Sequence, residues 1–251
     1  MKGNVRKIAV FGATSAMARG AARRFASEKA EFALVARNAE KLDAVKADLL
    51  AFGAARVETV LCDLSDVAAQ KAALDAAWNA LGEVDAVLVA YGSLPDQKAC
   101  EADTALAMRE FANNGSSAIA LCNEIGKRLE AQGRGCLAVI SSVAADRGRE
   151  SNYLYGSAKA ALATFVDGMA VRLSKKGIRV VDVKPGLVSS PMTAHLKQGP
   201  LFASSDKVGA GIAKAMADGK TEGTLYLPGI WALIMFVVRH VPYFVFKKTR
   251  F

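Results

Sequence analysis

Three residues of this 251-residue chain have the types and spacing to move a proton together. Ser141-Ser142 close an apolar run, Tyr155 follows thirteen residues after Ser142, and Lys159 follows four after that. A spacing of four sets Tyr155 and Lys159 one turn apart on one helix face. A lysine ammonium beside a phenol favours the phenolate and lowers its pKa. Such a phenol can serve as acid or base near neutral pH. Ser142 can hydrogen-bond a substrate oxygen in the same pocket. Tyr153 is a decoy, because four residues beyond it stands Ser157 rather than a lysine.

A Tyr-x-x-x-Lys alone occurs by chance on exposed helices, so its company matters. Phe11-Gly12-Ala13-Thr14-Ser15-Ala16-Met17-Ala18 runs from an apolar segment into an amphipathic one. A helix start of this kind offers free N–H groups and a positive dipole end, which suits a pyrophosphate. Gly12, Thr14, Ser15, Ala16 and Met17 are the contact candidates; a tight turn with no ligand is the plain alternative. Farther on, Val35-Ala36-Arg37-Asn38 places a base and no acid where NAD-preferring sites carry an acid for the ribose 2′-OH. Arg37 therefore favours NADP(H), with NAD(H) the other option. In Cys62-Asp63-Leu64, Asp63 can accept from an adenine amine or cap the helix that begins near Ser65-Asp66, and Leu64 would lie beside it.

The elements that must position these residues are legible as alternation. Short apolar runs at residues 7–12, 32–36, 56–61, 86–90, 136–141 and 178–184, with a weaker one at 224–227, read as strands. Segments such as 16–29, 39–52 and 66–81 carry apolar residues at three- and four-residue spacing and read as helices. Continuous apolar strands are buried on both faces. The pattern predicts an α/β fold, a doubly wound Rossmann-type parallel sheet of about seven strands flanked by helices. Residues 1–229 would form that domain, with 230–251 an apolar and basic tail. Ligands of such sheets bind at the carboxyl ends of the strands, where the motifs above lie.

Composition excludes other classes. Apolar residues make up 52% and charged residues 23%, which suits a globular chain and neither disorder nor coiled coil. Two histidines and scattered Cys62, Cys100, Cys122 and Cys136, with no C-x-x-C, give no metal site and no disulfide framework. The thiols read as reduced and mostly buried. Residues 1–7 are short and charged, without the apolar core of a leader peptide, and a cytoplasmic location is expected. The net charge is +9, and residues 220–251 hold Lys220, Arg239, Lys247, Lys248 and Arg250 against Glu222 alone. No nucleic-acid signature accompanies the charge. The basic end beside residues 230–238, all apolar, favours peripheral contact with a membrane surface. That run is far short of the roughly 20 residues that span a bilayer. The bland alternative packs it over the pocket or against a second subunit.

The chain resembles the short-chain dehydrogenase/reductase family over nearly its whole length. Gly12, Asp63, Asn114, Ser142, Tyr155, Lys159 and Pro185-Gly186 fall in that family's order and spacing. The resemblance implies carbonyl reduction with Tyr155 as general acid and Lys159 holding the nicotinamide ribose. It also implies that Ser142 orients the carbonyl and that Asn114 supports Lys159 through a water relay. Pro185 and Gly186, with Val188 and Ser190 supplying contacts, resemble the segment that meets the nicotinamide carboxamide. Residues 190–205, around Pro191, Gly199 and Pro200, would be a substrate lid. Two departures stand out. Ala16 and Ala18 replace glycines and narrow the pyrophosphate approach, and Val89-Ala90-Tyr91-Gly92 lacks the family's asparagine. The Gly12 loop, Asp146-Arg147-Gly148-Arg149, Pro191-Met192-Thr193-Ala194-His195 and the Ile230-Trp231 to Pro242 ending resemble, more narrowly, the decaprenylphosphoryl-2-keto-ribose reductase group. That likeness implies a lipid-linked ketone as substrate. A generic soluble carbonyl or 3-oxoacyl reductase and a catalytically silent nucleotide sensor are the other readings. The family also implies a homo-oligomer, a dimer or tetramer.

Overall fold

The computed structural model describes residues 5–249. The expectation of a leaderless start rests mainly on residues outside the described ones, as does Arg250 of the basic end. The chain begins β1 (Lys7–Phe11), α1 (Ala16–Ala26), β2 (Glu31–Ala36), α2 (Ala39–Ala51), β3 (Arg56–Leu61), α3 (Val67–Leu81) and β4 (Ala86–Val89). Next come α4 (Gln97–Ala102), α5 (Thr104–Phe111), a π-turn (Ala112–Ser116), α6 (Ser117–Gln132), β5 (Gly135–Ile140), a 3-10 turn (Val143–Asp146) and α7 (Tyr153–Ser174). The remainder is β6 (Ile178–Pro185), β7 (Val188–Ser189), a 3-10 turn (Pro191–Thr193), β8 (Ala203–Ser204), α8 (Ser205–Ala217), β9 (Gly223–Leu227), α9 (Ile230–His240) and α10 (Tyr243–Phe246).

One seven-stranded sheet runs in the order β3-β2-β1-β4-β5-β6-β9, every neighbouring pair parallel. Strand order reverses between β1 and β4, the switch point of a doubly wound Rossmann fold. Successive strand residues point to opposite faces, so each central strand feeds two cores. Ile8 and Val10 join Phe32 and Leu34 in one core, while Ala9 and Phe11 join Ala33 and Val35 in the other. Helices α1, α2 and α8 cover the first face and α3, α6 and α7 the second.

The differences from the sequence reading have local causes. The edge strands β3 and β9 are not buried on both faces, because each has a neighbour on one side only. The first helix stops at Ala26 rather than 29: Lys29 turns left-handed at φ 61°, and Ala30 N–H bonds to Phe25 O. The short β7–β8 ladder was not anticipated; two-residue strands carry no periodicity. All four cysteines are buried and free. No group of residues that could hold a metal occurs among the described residues.

The tail both packs and protrudes. Trp231, Met235 and Val238 lie on one face of α9, at i, i+4 and i+7, and are buried with Val143. Ile230, Leu233, Phe236 and Val237 on its other face are exposed, as are Tyr243, Phe244 and Val245 of α10. Among the described residues no helix is long and apolar enough to cross a membrane.

Fully buried Phe32 and exposed Leu61 give a direct check on where stability resides. Phe32→Ala is expected to cost about 3–5 kcal/mol in urea denaturation, whereas Leu61→Ala should stay within about 0.5 kcal/mol.

Candidate active site

A single cleft crosses the carboxyl ends of the strands and is lined by every candidate from the sequence: Gly12, Thr14, Ser15, Ala16, Met17, Arg37, Asp63, Leu64, Asn114, Ser142, Tyr155, Lys159, Pro185, Gly186, Val188 and Ser190. Residues far apart in sequence meet there because parallel crossovers return every strand end to the same edge.

The β1–α1 turn forms the phosphate end. Gly12 adopts φ 88°, and a Cβ there would lie 2.8 Å from the backbone at Ala90 and Tyr91. Only glycine fits both demands. Ser15 N-caps α1 without a side-chain cap bond, and no acid occupies the first turn. The first N–H groups of α1 are thus left to a ligand, and the dipole favours an anion. Ala16 and Ala18 do not alter this, because their methyls belong to regular helix and Ala18 is buried in the core. The residues present therefore fit a dinucleotide.

At the end of β2, Arg37 is exposed and stands 3.8 Å from Asp63. Asn38, not Arg37, caps α2 by accepting from Lys41 N–H at 2.8 Å. The two roles left open for Asp63 separate. Asp66 caps α3 by accepting from Ala68 N–H, while Asp63 accepts from Ser65 N–H at 3.0 Å and from Ser65 Oγ. These two bonds to Ser65 hold the Asp63 carboxyl below its ordinary pKa, and Arg37 adds a smaller push.

The proton-transfer end rests on α7 and on the turn after β5. Ser142 caps that turn by accepting from Ala144 N–H at 3.1 Å. Lys159 is buried, and its Nζ donates to Ile140 O at 3.3 Å and lies 5.9 Å from the Tyr155 ring centroid. Burial pulls the Lys159 ammonium down to about 8, opposed by the attraction of Asp182. The expected lowering of Tyr155 by Lys159 is not what this geometry produces. Burial pushes the phenol up, and the hydrogen bond with Ser142 offsets part of that rise. Desolvation wins because the ammonium sits beyond hydrogen-bond reach of the ring and is itself weakened by burial.

Asn114 is buried in the π-turn and braced on all sides. Its Oδ1 accepts from Ser93 N–H at 2.9 Å, and its Nδ2 donates to Ser93 Oγ and Glu110 O, each at 3.0 Å. In the segment that lacks the family's asparagine, Val89 to Gly92, Tyr91 packs its ring into the second core and brings its hydroxyl to 3.3 Å from Ser117 Oγ. Tyr153 stays out of the cleft and donates to Glu101. His195 is exposed on the segment after β7. Of that segment, Pro191, Met192, Thr193 and Leu196 reach the cleft.

Sequence reasoning missed a buried layer behind Lys159. Ser141 donates to Asp182, and Lys184 lies 2.6 Å from Asp146 and 3.8 Å from Asp182. The only signal was one carboxylate inside the apolar run Ile-Arg-Val-Val-Asp-Val. It also missed Arg149 as a wall residue, whereas Trp231 lines the cleft as the alternative that packs the tail over the pocket expects.

Fold and site together define the class, a single-domain Rossmann oxidoreductase. A short chain dehydrogenase family model matches residues 6–200. An uncharacterized oxidoreductase of Mycobacterium tuberculosis is 35% identical over 243 residues, covering 96% of each chain. An uncharacterized oxidoreductase of Streptomyces coelicolor is 34% identical over 247 residues, covering 98% of this chain and 96% of its own. The crystal structure of levodione reductase superposes with a TM-score of 0.83 at 23% identity, over 91% of this chain and 98% of that one, a likeness in fold. The chain belongs to the short-chain dehydrogenase/reductase family. Members bind nicotinamide dinucleotides, typically act on small molecules and often form oligomers.

The depressed Lys159 amine yields a prediction. A lysine whose pKa is lowered loses its proton as pH rises through that value, here near 8. With 13C-labelled lysine, one resonance should titrate near pH 8 and vanish in Lys159→Met. Titration of every lysine near the ordinary value of about 10.4 would contradict it.

Proposed function

We propose that this enzyme reduces a ketone with NADPH, Tyr155 giving the proton. The observation that carries the reading is the convergence of Ser142, Tyr155 and Lys159 in one cleft with an uncapped α1 N-terminus. When bound, the dinucleotide supplies the hydride. Gly12, Thr14, Ser15, Ala16 and Met17 would hold its pyrophosphate, Arg37 its 2′-phosphate, and Asp63 and Leu64 its adenine end. Pro185, Gly186, Val188 and Ser190 would border the nicotinamide. Ser142 orients the substrate oxygen. A phenol held neutral by burial is a donor for the alkoxide that forms on that oxygen. Lys159, while an ammonium, stabilises the phenolate left behind, and Asn114 fixes the surroundings of Lys159. Residues 190–205 serve as the lid, with Pro191 to Leu196 at the cleft.

Cofactor choice rests on Arg37, because a 2′-phosphate gains from a guanidinium and the end of β2 carries no acid. Nucleotide fluorescence titrations should show NADPH binding more tightly than NADH, and Arg37→Ala should bring NADPH to the NADH level. Tyr155→Phe should keep that affinity and lower kcat at least about 100-fold. No binding of either nucleotide would overturn the reductase and sensor readings alike, binding without turnover of any ketone would favour the silent sensor, and full turnover without the phenol would remove Tyr155 from the reaction.

A finer reading, that the ketone is a 2-keto sugar on a polyprenyl phosphate met at a membrane surface, is favoured by one feature. The helix that closes the cleft with Trp231 exposes Leu233, Phe236 and Val237 on its outer face, next to exposed Tyr243, Phe244, Lys247 and Lys248. An exposed apolar face followed along the chain by exposed lysines suits an anionic interface. Co-sedimentation with phosphatidylglycerol vesicles should fall at least fivefold in Leu233→Ser/Phe236→Ser. Equal recovery of both proteins would leave the soluble carbonyl or 3-oxoacyl reductase reading.

A further inference from the structure

Among the described residues, two are both charged and buried: Lys159 and Asp182, at 3% and 2% exposure. Lys159 lines the cleft and Asp182 does not. A carboxylate on a core strand is costly unless a cation answers it. The place of Asp182 follows from strand alternation. It is the register partner of Val139 across β5 and β6. Val139 and Val180 point into the core beneath α7, with Leu162 and Val166 of that helix. Two residues on from each, Ser141 and Asp182 point to the same side. Lys159 lies three residues before Leu162 and comes down on that side from α7.

We propose that Asp182 is a positioning residue of the reaction: pinned by Ser141, its carboxylate is the counter-ion that keeps Lys159 an ammonium beside Tyr155; this rests on the reductase reading above. The groups around Lys159 leave that part to Asp182. They are the Tyr155 ring from α7, the Cys122 thiol from α6, the Ile140 carbonyl from β5 and Asp182 from β6. Burial pushes the thiol up to about 12 and pushes the phenol upward too, so both stay neutral near pH 7. The charge that opposes desolvation of the ammonium is the Asp182 carboxylate.

Asp182 is itself held in place and in charge. Ser141 Oγ donates to it, and Lys184 Nζ lies 3.8 Å away. Burial and the nearby Asp146 push its carboxyl up, while the Ser141 bond, Lys184 and Lys159 pull it back toward the ionised form. Lys184 is fixed in turn by Asp146 at 2.6 Å, which accepts from the Tyr226 hydroxyl at 2.7 Å. The bond from Ser141 also orders the end of β5. Ser141 N–H donates to Val183 O at 2.9 Å. On one side of Ser141 is Ile140, whose carbonyl accepts from Lys159, and on the other is Ser142 in the cleft wall. Fixing Ser141 therefore fixes an anchor of the lysine together with the serine beside the phenol.

The test follows the lysine proton itself, on the full chain carrying 13C-labelled lysine. In wild type the resonance identified through Lys159→Met titrates near pH 8. In Asp182→Asn its midpoint should fall by about one pH unit or more, because the amide keeps the shape of the side chain and removes the counter-charge. Ser141→Ala should move the midpoint the same way by less, since the carboxylate loses a bond that keeps it ionised. That variant carries the test if Asp182→Asn does not fold. A purely structural role would lower stability to urea and leave the midpoint where it is. An unchanged or higher midpoint in folded Asp182→Asn, or in Ser141→Ala where that is the variant that folds, overturns the proposal. The reductase reading is decided apart from this. Failure of NADPH to bind wild type overturns that reading, and the lysine titration still decides whether Asp182 is the counter-ion of Lys159.

Discussion

Strands β1, β4 and β5 are shut off from water on both faces, and this constraint decides where chemistry can sit. A parallel sheet needs helices on both sides, so its faces are filled with Val, Leu, Ile and Ala and have no room for polar groups. The carboxyl edge is what remains. There the backbone leaves the ladder, N–H groups become free at the start of α1, and side chains from distant segments can converge.

Lys159 shows what that placement costs and supplies. Its ammonium is buried and held by Ile140 O, with Asp182 attracting it from behind. Burial pulls its pKa down and pushes that of Tyr155 up, so two groups that would ordinarily titrate close together move apart. At neutral pH the phenol therefore keeps its proton, while the lysine gives up its own as pH rises through about 8. The layer of Ser141, Asp182, Lys184 and Asp146 links this centre to the loop that carries Arg147 and Arg149. The same loop fastens α9 over the cleft. The Lys159–Tyr155 end of the cleft, the loop before α7 and the tail are therefore one connected unit.

The tail resolves a question that composition poses as an alternative. An amphipathic helix has two faces, and α9 uses both: Trp231 lines the pocket with Met235 buried beside it, while Leu233 and Phe236 remain outside. Packing over the pocket and offering an apolar surface are compatible, because a period of 3.6 residues gathers apolar residues three and four apart on one face and leaves the others on the opposite one.

Much of this was legible in the sequence. Alternating apolar runs and amphipathic segments specify parallel βα units, since strand and helix periods differ. All seven strands of the main sheet, the weaker one at 224–227 included, and their order of appearance follow from that, with ends shifted by a residue or so. Tyr155, Lys159 and Ser142 stand out because a four-residue spacing is itself a geometric statement. Tertiary structure alone decided the rest. The direction of the Tyr155 shift depends on how much water its hydroxyl loses against the pull of an ammonium 5.9 Å from its ring centroid, and spacing carries neither quantity. Asp63 needed Ser65 and Asp66 in place before its two roles could be told apart. Arg149 and Trp231 meet across more than eighty residues, and nothing local marks either as part of one pocket. Sequence sets periodicity and chemistry along the chain; proximity, burial and the electrostatics that follow exist only once the chain has folded.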